Sequence, residues 1–65
     1  MELSSRQVEI LTLLAVEGLQ MRGIAARLGI SEQTVKQHLL MARIKLNVDT
    51  NVQAVYRYFV EKVGQ

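Results

Sequence analysis

The stretch Ile24–His38, "IAARLGISEQTVKQH", decides how this chain is read. Ile24, Ala25 and Leu28 fall at the spacing of one helical face, and Gly29 follows at once. Glycine reaches the positive φ that a sharp turn after a helix requires. Beyond the turn, Ser31 is placed to cap a new helix. Glu32 puts a carboxylate in its first turn, where the helix dipole favours negative charge. A helix-turn-helix unit needs a small residue where two helices approach, a residue permissive of the turn, and apolar anchors on both sides. Ala25, Gly29 and the set Ile24, Leu28, Ile30 and Val35 fill those roles. An ordinary helical hairpin would not require that combination at fixed offsets.

The flanking sequence supplies more helices and no strand pattern. In "LSSRQVE" (Leu3–Glu9), Ser4 or Ser5 can cap a first helix, with Leu3 as a hydrophobic staple. Val8, Leu11, Leu14 and Ala15 then recur at helical spacing with Ile10 beside them, and Gly18 is the expected stop. In the third helix Val35, Leu39, Ala42 and Leu46 form the inward stripe, and Asn47 is a plausible left-handed terminator. Thr50 or Asn51 can cap a fourth helix that Gly64 ends. The expected fold is all-α, a compact four-helix domain with helices over about 5–17, 21–28, 32–46 and 51–63. With no proline, repeat or linker, residues 1–65 read as a single unit.

Composition narrows the function. The chain has 65 residues, 49% of them hydrophobic, enough for one small core with little stability to spare. It has no cysteine and one histidine, which leaves no disulfide framework, thiolate nucleophile or zinc site. No paired carboxylates fall in a likely cleft, no nucleophile has an evident base, and the glycines are dispersed. An enzyme is not expected, and neither is a cofactor or metal. No apolar run reaches the length of a membrane span, and "MELSSRQ" lacks the pattern of a signal peptide, so a cytoplasmic location is expected.

The formal net charge is only +2, but its distribution is uneven. From Gln20 to Leu46, Arg22, Arg27, Lys36, Arg43 and Lys45 oppose Glu32 alone, a local +4. The flanks set Arg6, Arg57 and Lys62 against Glu2, Glu9, Glu17, Asp49 and Glu61, a local −2. Positive charge therefore sits on the helix-turn-helix segment, as the footprint of a nucleic-acid binder does. At about 100° per residue, with Val35 facing inward, Gln33, Lys36, Gln37, Leu40 and Ile44 lie on the outer side of the third helix. Lys36 has the chemistry to donate to guanine O6 and N7, Gln33 and Gln37 to pair with adenine N6 and N7, and Leu40 to rest on a thymine methyl. Arg22, Thr34 and Lys45 suit phosphate contacts, with Arg27 and Arg43 adding to the field. Leu40 and Ile44, two outward aliphatics one turn apart, equally suit a protein contact. His38 lies near the core boundary and reads as a packing residue.

The fourth helix is apolar over roughly two-thirds of its circumference. Ala54, Val55, Tyr58 and Phe59 cover the core, whereas Val52, Tyr56, Val60 and Val63 make a second stripe. A second stripe fits the same helix of another copy about a two-fold axis, that is, a homodimer.

The chain resembles the LuxR-type DNA-binding domain, a four-helix module of many bacterial transcription regulators. The resemblance is carried by "LSSRQVEIL" (Leu3–Leu11), "LLAVEGL" (Leu13–Leu19), "IAARLGISEQTVKQH", "KLNV" (Lys45–Val48) and "AV" (Ala54, Val55). It implies a third helix that enters the major groove, a fourth helix that forms a dimer, and regulation of transcription initiation. By the same resemblance Gln33, Lys36 and Gln37 align with base or groove contacts, and Leu40 stands one turn on. The chain departs from the pattern at Gln7, where Glu is common, and at Gln20-Met21, where a Ser-Asn cap is usual. Gly23 stands inside helix two, where it costs roughly 1 kcal/mol relative to Ala and points to fraying or a close approach; Asn51 replaces a frequent Arg. A second reading keeps the scaffold as a protein-interaction module, in the manner of a sigma-factor region-four-like domain, docking on RNA polymerase or another regulator through Leu40, Ile44 and the last helix.

Overall fold

Three of the four helices open on a hydroxyl that holds a first-turn amide, and the second opens on none. In the computed structural model, which describes residues 2–61, helix α1 spans Ser5–Ala15, α2 Met21–Leu28, α3 Glu32–Leu46 and α4 Asn51–Val55. The Ser4 hydroxyl accepts the Gln7 amide, and the Gln7 side chain accepts the Ser4 amide in return, a reciprocal capping box. Thr50 and Gln53 repeat that box at α4. Ser31 accepts the Thr34 amide at α3. Gln20 stands before α2 with no side-chain cap.

The stops are as specific as the starts. Gly29 takes φ +69° after α2, and the Ile30 amide reaches back to the Ala25 carbonyl at 3.0 Å. Asn47 takes φ 59° after α3, with the Val48 amide on the Arg43 carbonyl and its own on Ile44. Both closures satisfy carbonyls that a helix end leaves unpaired. They make the chain turn sharply on either side of α3, which consequently lies against α1, α2 and α4.

The core forms where these faces meet. Ile10 and Leu11 of α1, Ile24 of α2, Val35, Leu39 and Ala42 of α3 and Ala54 of α4 are fully buried, with Leu13 and Ala25 nearly so. Each large aliphatic side chain so enclosed stabilises the fold by about 1.5–3 kcal/mol. Leu28, Leu46, Val55, Tyr58 and Phe59 close the rim, the last two rings meeting edge to face with centroids 5.1 Å apart.

Two boundaries differ from the sequence expectation. Helix α1 ends at Ala15, not Glu17, because Gly18 at φ +66° and the Leu19 amide, bonded to the Leu13 carbonyl, turn the chain early. Leu13 is buried, whereas Ala15, placed on the inward stripe by its spacing, is exposed. The fourth helix is regular only as far as Val55. Tyr56–Glu61 continue it as a π-wound segment, and the end expected at Val63 lies outside the described residues. A π turn rotates each residue less than an α turn does, so the adjacent bulky rings of Tyr58 and Phe59 both stay on the core side. Gly23, for its part, sits in unbroken helix. A Cβ there would meet only the Leu19 side chain, at 3.5 Å, so neither fraying nor a close backbone approach explains it.

Candidate nucleic-acid interface

Because Val35, Leu39 and Ala42 commit one face of α3 to the core, the opposite face is held outward over the whole helix. Gln33, Lys36, Gln37, Leu40 and Ile44 are all exposed on it. Among the described residues, none of Gln33, Lys36 and Gln37 has a hydrogen-bond or ion-pair partner, so their donors and acceptors are open to an external one. Gln33, Thr34, Gln37, His38 and Met41 line a shallow groove along one flank. The Thr34 hydroxyl lies 2.8 Å from that of Ser31, and His38 is half-buried at the core boundary.

Ion pairing sorts the cations. Arg27 grips Glu17 through both guanidinium nitrogens, at 3.0 and 3.4 Å. Arg6 pairs with Glu9 at 3.3 Å, Arg57 with Glu61 at 3.0 Å, and Arg22 more loosely with Glu32 at 3.9 Å. Such solvent-exposed pairs contribute only about 0–1 kcal/mol each to stability. Their consequence for the field is larger, since each cancels a positive charge. The described cations left without a carboxylate are Lys36, Arg43 and Lys45, and all three are on α3. Arg43 donates to the Asn51 side chain and Lys45 to the Gln7 side-chain oxygen, both uncharged, so these contacts fix position without neutralising charge. The recognition-type helix is therefore the positive feature of the surface, more sharply than the bare count of charges implies.

A family model, GerE, bacterial regulatory proteins of the luxR family, matches residues 1–58. The chain belongs to the LuxR family. Its helix-turn-helix domains bind DNA and regulate transcription, and are not typically enzymatic. Searches of curated proteins and of solved structures return no significant match. Among the described residues no helix is long and apolar enough to cross a membrane.

Within this LuxR-family domain the candidate phosphate contacts differ in availability. Arg22 is 91% exposed and only loosely paired, so its guanidinium is free to move to another anion. Arg27 is engaged by Glu17 and is the candidate the geometry supports least. Lys45 directs its ammonium at α1, 3.2 Å from Gln7, with further N–H donors left over. On α4 and the π-wound segment, Val52, Tyr56 and Val60 are 79%, 56% and 51% exposed and form one outward row; Val63 lies outside the described residues.

Three contributors escaped the sequence reading. Met41, 45% exposed, joins Leu40 and Ile44 and makes the outer patch of α3 larger than expected. Arg57 donates to the Leu46 carbonyl at 3.0 Å and so caps the C-terminus of α3 from the last helix. Gln7, the buried polar residue of the core, ties the N-terminus of α1 to Lys45 of α3. Only the Gln7 role left a signal, the Ser4-to-Gln7 spacing of a capping box.

Proposed function

We propose that this LuxR-family chain is a sequence-specific, duplex-DNA-binding transcription regulator that acts as a homodimer with α3 in the major groove. The observation that carries the reading is the convergence on α3 of every described cation without a carboxylate partner, beside a row of unpartnered glutamine and lysine side chains. Lys36 donates to guanine O6 and N7, Gln33 and Gln37 pair with adenine, and Leu40 meets a thymine methyl. Arg22, Thr34, Arg43 and Lys45 bind phosphates and supply most of the affinity, and Arg27 adds to them only when it leaves Glu17.

A domain of this size covers too little DNA for tight specific binding, since single modules bury roughly 600–1,000 Å². The exposed Val52, Tyr56, Val60 row, to which the sequence pattern adds Val63, supports pairing of two copies through the last helix. Two recognition helices would then face half-sites roughly 34–36 Å apart, and the site would share the dimer's two-fold symmetry. The whole of residues 1–65 acts as this one domain, in the cytoplasm where the DNA of a bacterial regulator lies. A second reading, contact with RNA polymerase or another regulator through Leu40 and Ile44, is favoured by the exposure of both side chains.

The test is a pair of substitutions measured on an enriched duplex and on its mismatched variants. Lys36→Ala is expected to cost about 1–3 kcal/mol and to relax preference at one base position. Lys45→Ala is expected to weaken all sequences alike. Loss of function on Leu40→Ala and Ile44→Ala, with Lys36→Ala silent, would overturn the DNA reading.

A further inference from the structure

The proposed DNA contact reaches along the outer face of α3 as far as Leu40 and leaves the exposed Met41 and Ile44 without a role. Leu40, Met41 and Ile44 are 46%, 45% and 61% exposed. Leu40 and Ile44 lie one turn apart in one row, with Met41 alongside. At 1.5 Å of rise per residue, Ile44 stands roughly 16 Å along the helix from Gln33. The major groove is only about 12 Å wide. A helix that seats Gln33, Lys36 and Gln37 on base edges thus carries Ile44 towards the groove's rim, where its neighbours would be phosphates. An isoleucine finds no apolar partner there.

We infer that the Leu40–Met41–Ile44 patch seats an acidic amphipathic helix of a protein partner, which lays leucine- or phenylalanine-type side chains on the patch and carboxylates against the cations at its edges. The charges around the patch select the occupant. Counting round α3 at about 100° per residue, Lys36 and Arg43 border the patch on one side and Lys45 on the other. No carboxylate follows Glu32 in α3, and none pairs with these three cations among the described residues. A second copy of this face is a poor occupant, because a two-fold contact would set the same three cations against each other. A row with one-turn spacing matches the ridges of another helix. The seat includes Lys36, which the DNA reading also uses, so the partner helix and the duplex exclude one another and the partner acts as an antagonist. Only this competition rests on the DNA reading; the docking does not.

The experiment presents the full chain with a displayed pool of helical peptides that carry Leu or Phe at i, i+4 and i+7. Their flanking positions mix Glu, Lys and Gln. Glu-flanked peptides are expected to be enriched. Binding of the best should fall roughly tenfold on Ile44→Ser, as for an anchor residue in a small interface, and several-fold on Lys36→Gln. The same peptide should release a labelled duplex. Leu40, Met41 and Ile44 are exposed, so their serine variants should keep the wild-type thermal melt, and that is measured alongside. Enrichment of Lys- or Gln-flanked peptides, no enrichment over a scrambled pool, or binding unchanged in the Met41→Ser/Ile44→Ser double variant would overturn the inference. So would a loss of duplex affinity in that variant as large as that of Lys36→Ala, which would assign the patch to DNA. Self-association abolished by the same variant would overturn it too, by making a second copy the occupant. If no duplex bound at all, the DNA reading would fall and the peptide arm would still decide this one.

Discussion

A Gln7→Glu substitution is expected to stabilise the fold and weaken DNA binding at the same time. Gln7 is 6% exposed, and its side-chain oxygen accepts the Ser4 amide at 2.9 Å and the Lys45 ammonium at 3.2 Å. Glutamate keeps both acceptor contacts and places a negative charge beside Lys45. A charge-assisted hydrogen bond is roughly twice as strong as a neutral one, whose net contribution is about 1 kcal/mol. A carboxylate in the first turn of α1 adds about 0.3–1 kcal/mol through the helix dipole. Desolvation of the new charge offsets part of this, leaving a net gain of about 1 kcal/mol. In a domain of this size that raises Tm by about 4–8 °C. Lys45, now neutralised, no longer displaces a counterion from a phosphate, so the slope of log affinity against log salt should fall by about 0.9. Thermal melts and duplex titrations over a sodium chloride series measure the two effects. Lys45→Gln is the control, and should lower the slope without raising Tm. A lower Tm for Gln7→Glu, or an unchanged slope with binding intact, would refute the reasoning.

Other perturbations test the scaffold and the dimer. Gly23→Ala should raise stability by about 0.5–1 kcal/mol, since the added methyl meets only Leu19 at ordinary contact distance and the helix gains propensity; a fall in Tm would mean that the methyl clashes. Gly29→Ala should lower stability by about 1–2 kcal/mol although nothing lies within 4 Å of the new methyl, because the cost is that of holding φ +69°. Gly29→Asn should recover part of it. Tyr56→Glu should leave the melt of the isolated domain nearly unchanged while reducing the mass in solution to that of a monomer and weakening duplex binding; an unchanged mass would remove Tyr56 from the interface.

What was legible in the sequence was the chemistry of helix ends. Ser31, Gly29 and Asn47 are residues whose own backbone preferences demand a start or a stop, and each does what its type requires. The same locality explains the outward face of α3, fixed by Val35, Leu39 and Ala42 once the helix is granted. Features set by distant partners were not legible. Arg27 counts as a free cation until folding brings Glu17 to it, and Lys45 until α1 presents Gln7. The π winding after Val55 depends on how two adjacent aromatic rings share one side of the core, whereas an apolar pattern records only that both are apolar. The end of α1 failed for a related reason. The glycine was visible at 18, but the reach of the Leu19 amide back to Leu13 depends on the course of the chain after it.

The most direct measurement of the central claim is selection of binding sites from a random-sequence duplex pool by the intact chain, followed across a salt series with the mass of the complex tracked in solution. A regulator that reads DNA through two copies of α3 should enrich a two-fold symmetric site with half-sites one duplex turn apart. It should bind that site as two chains and lose affinity steeply as salt rises. A pool that emerges unenriched, with only feeble salt-sensitive association, would contradict it.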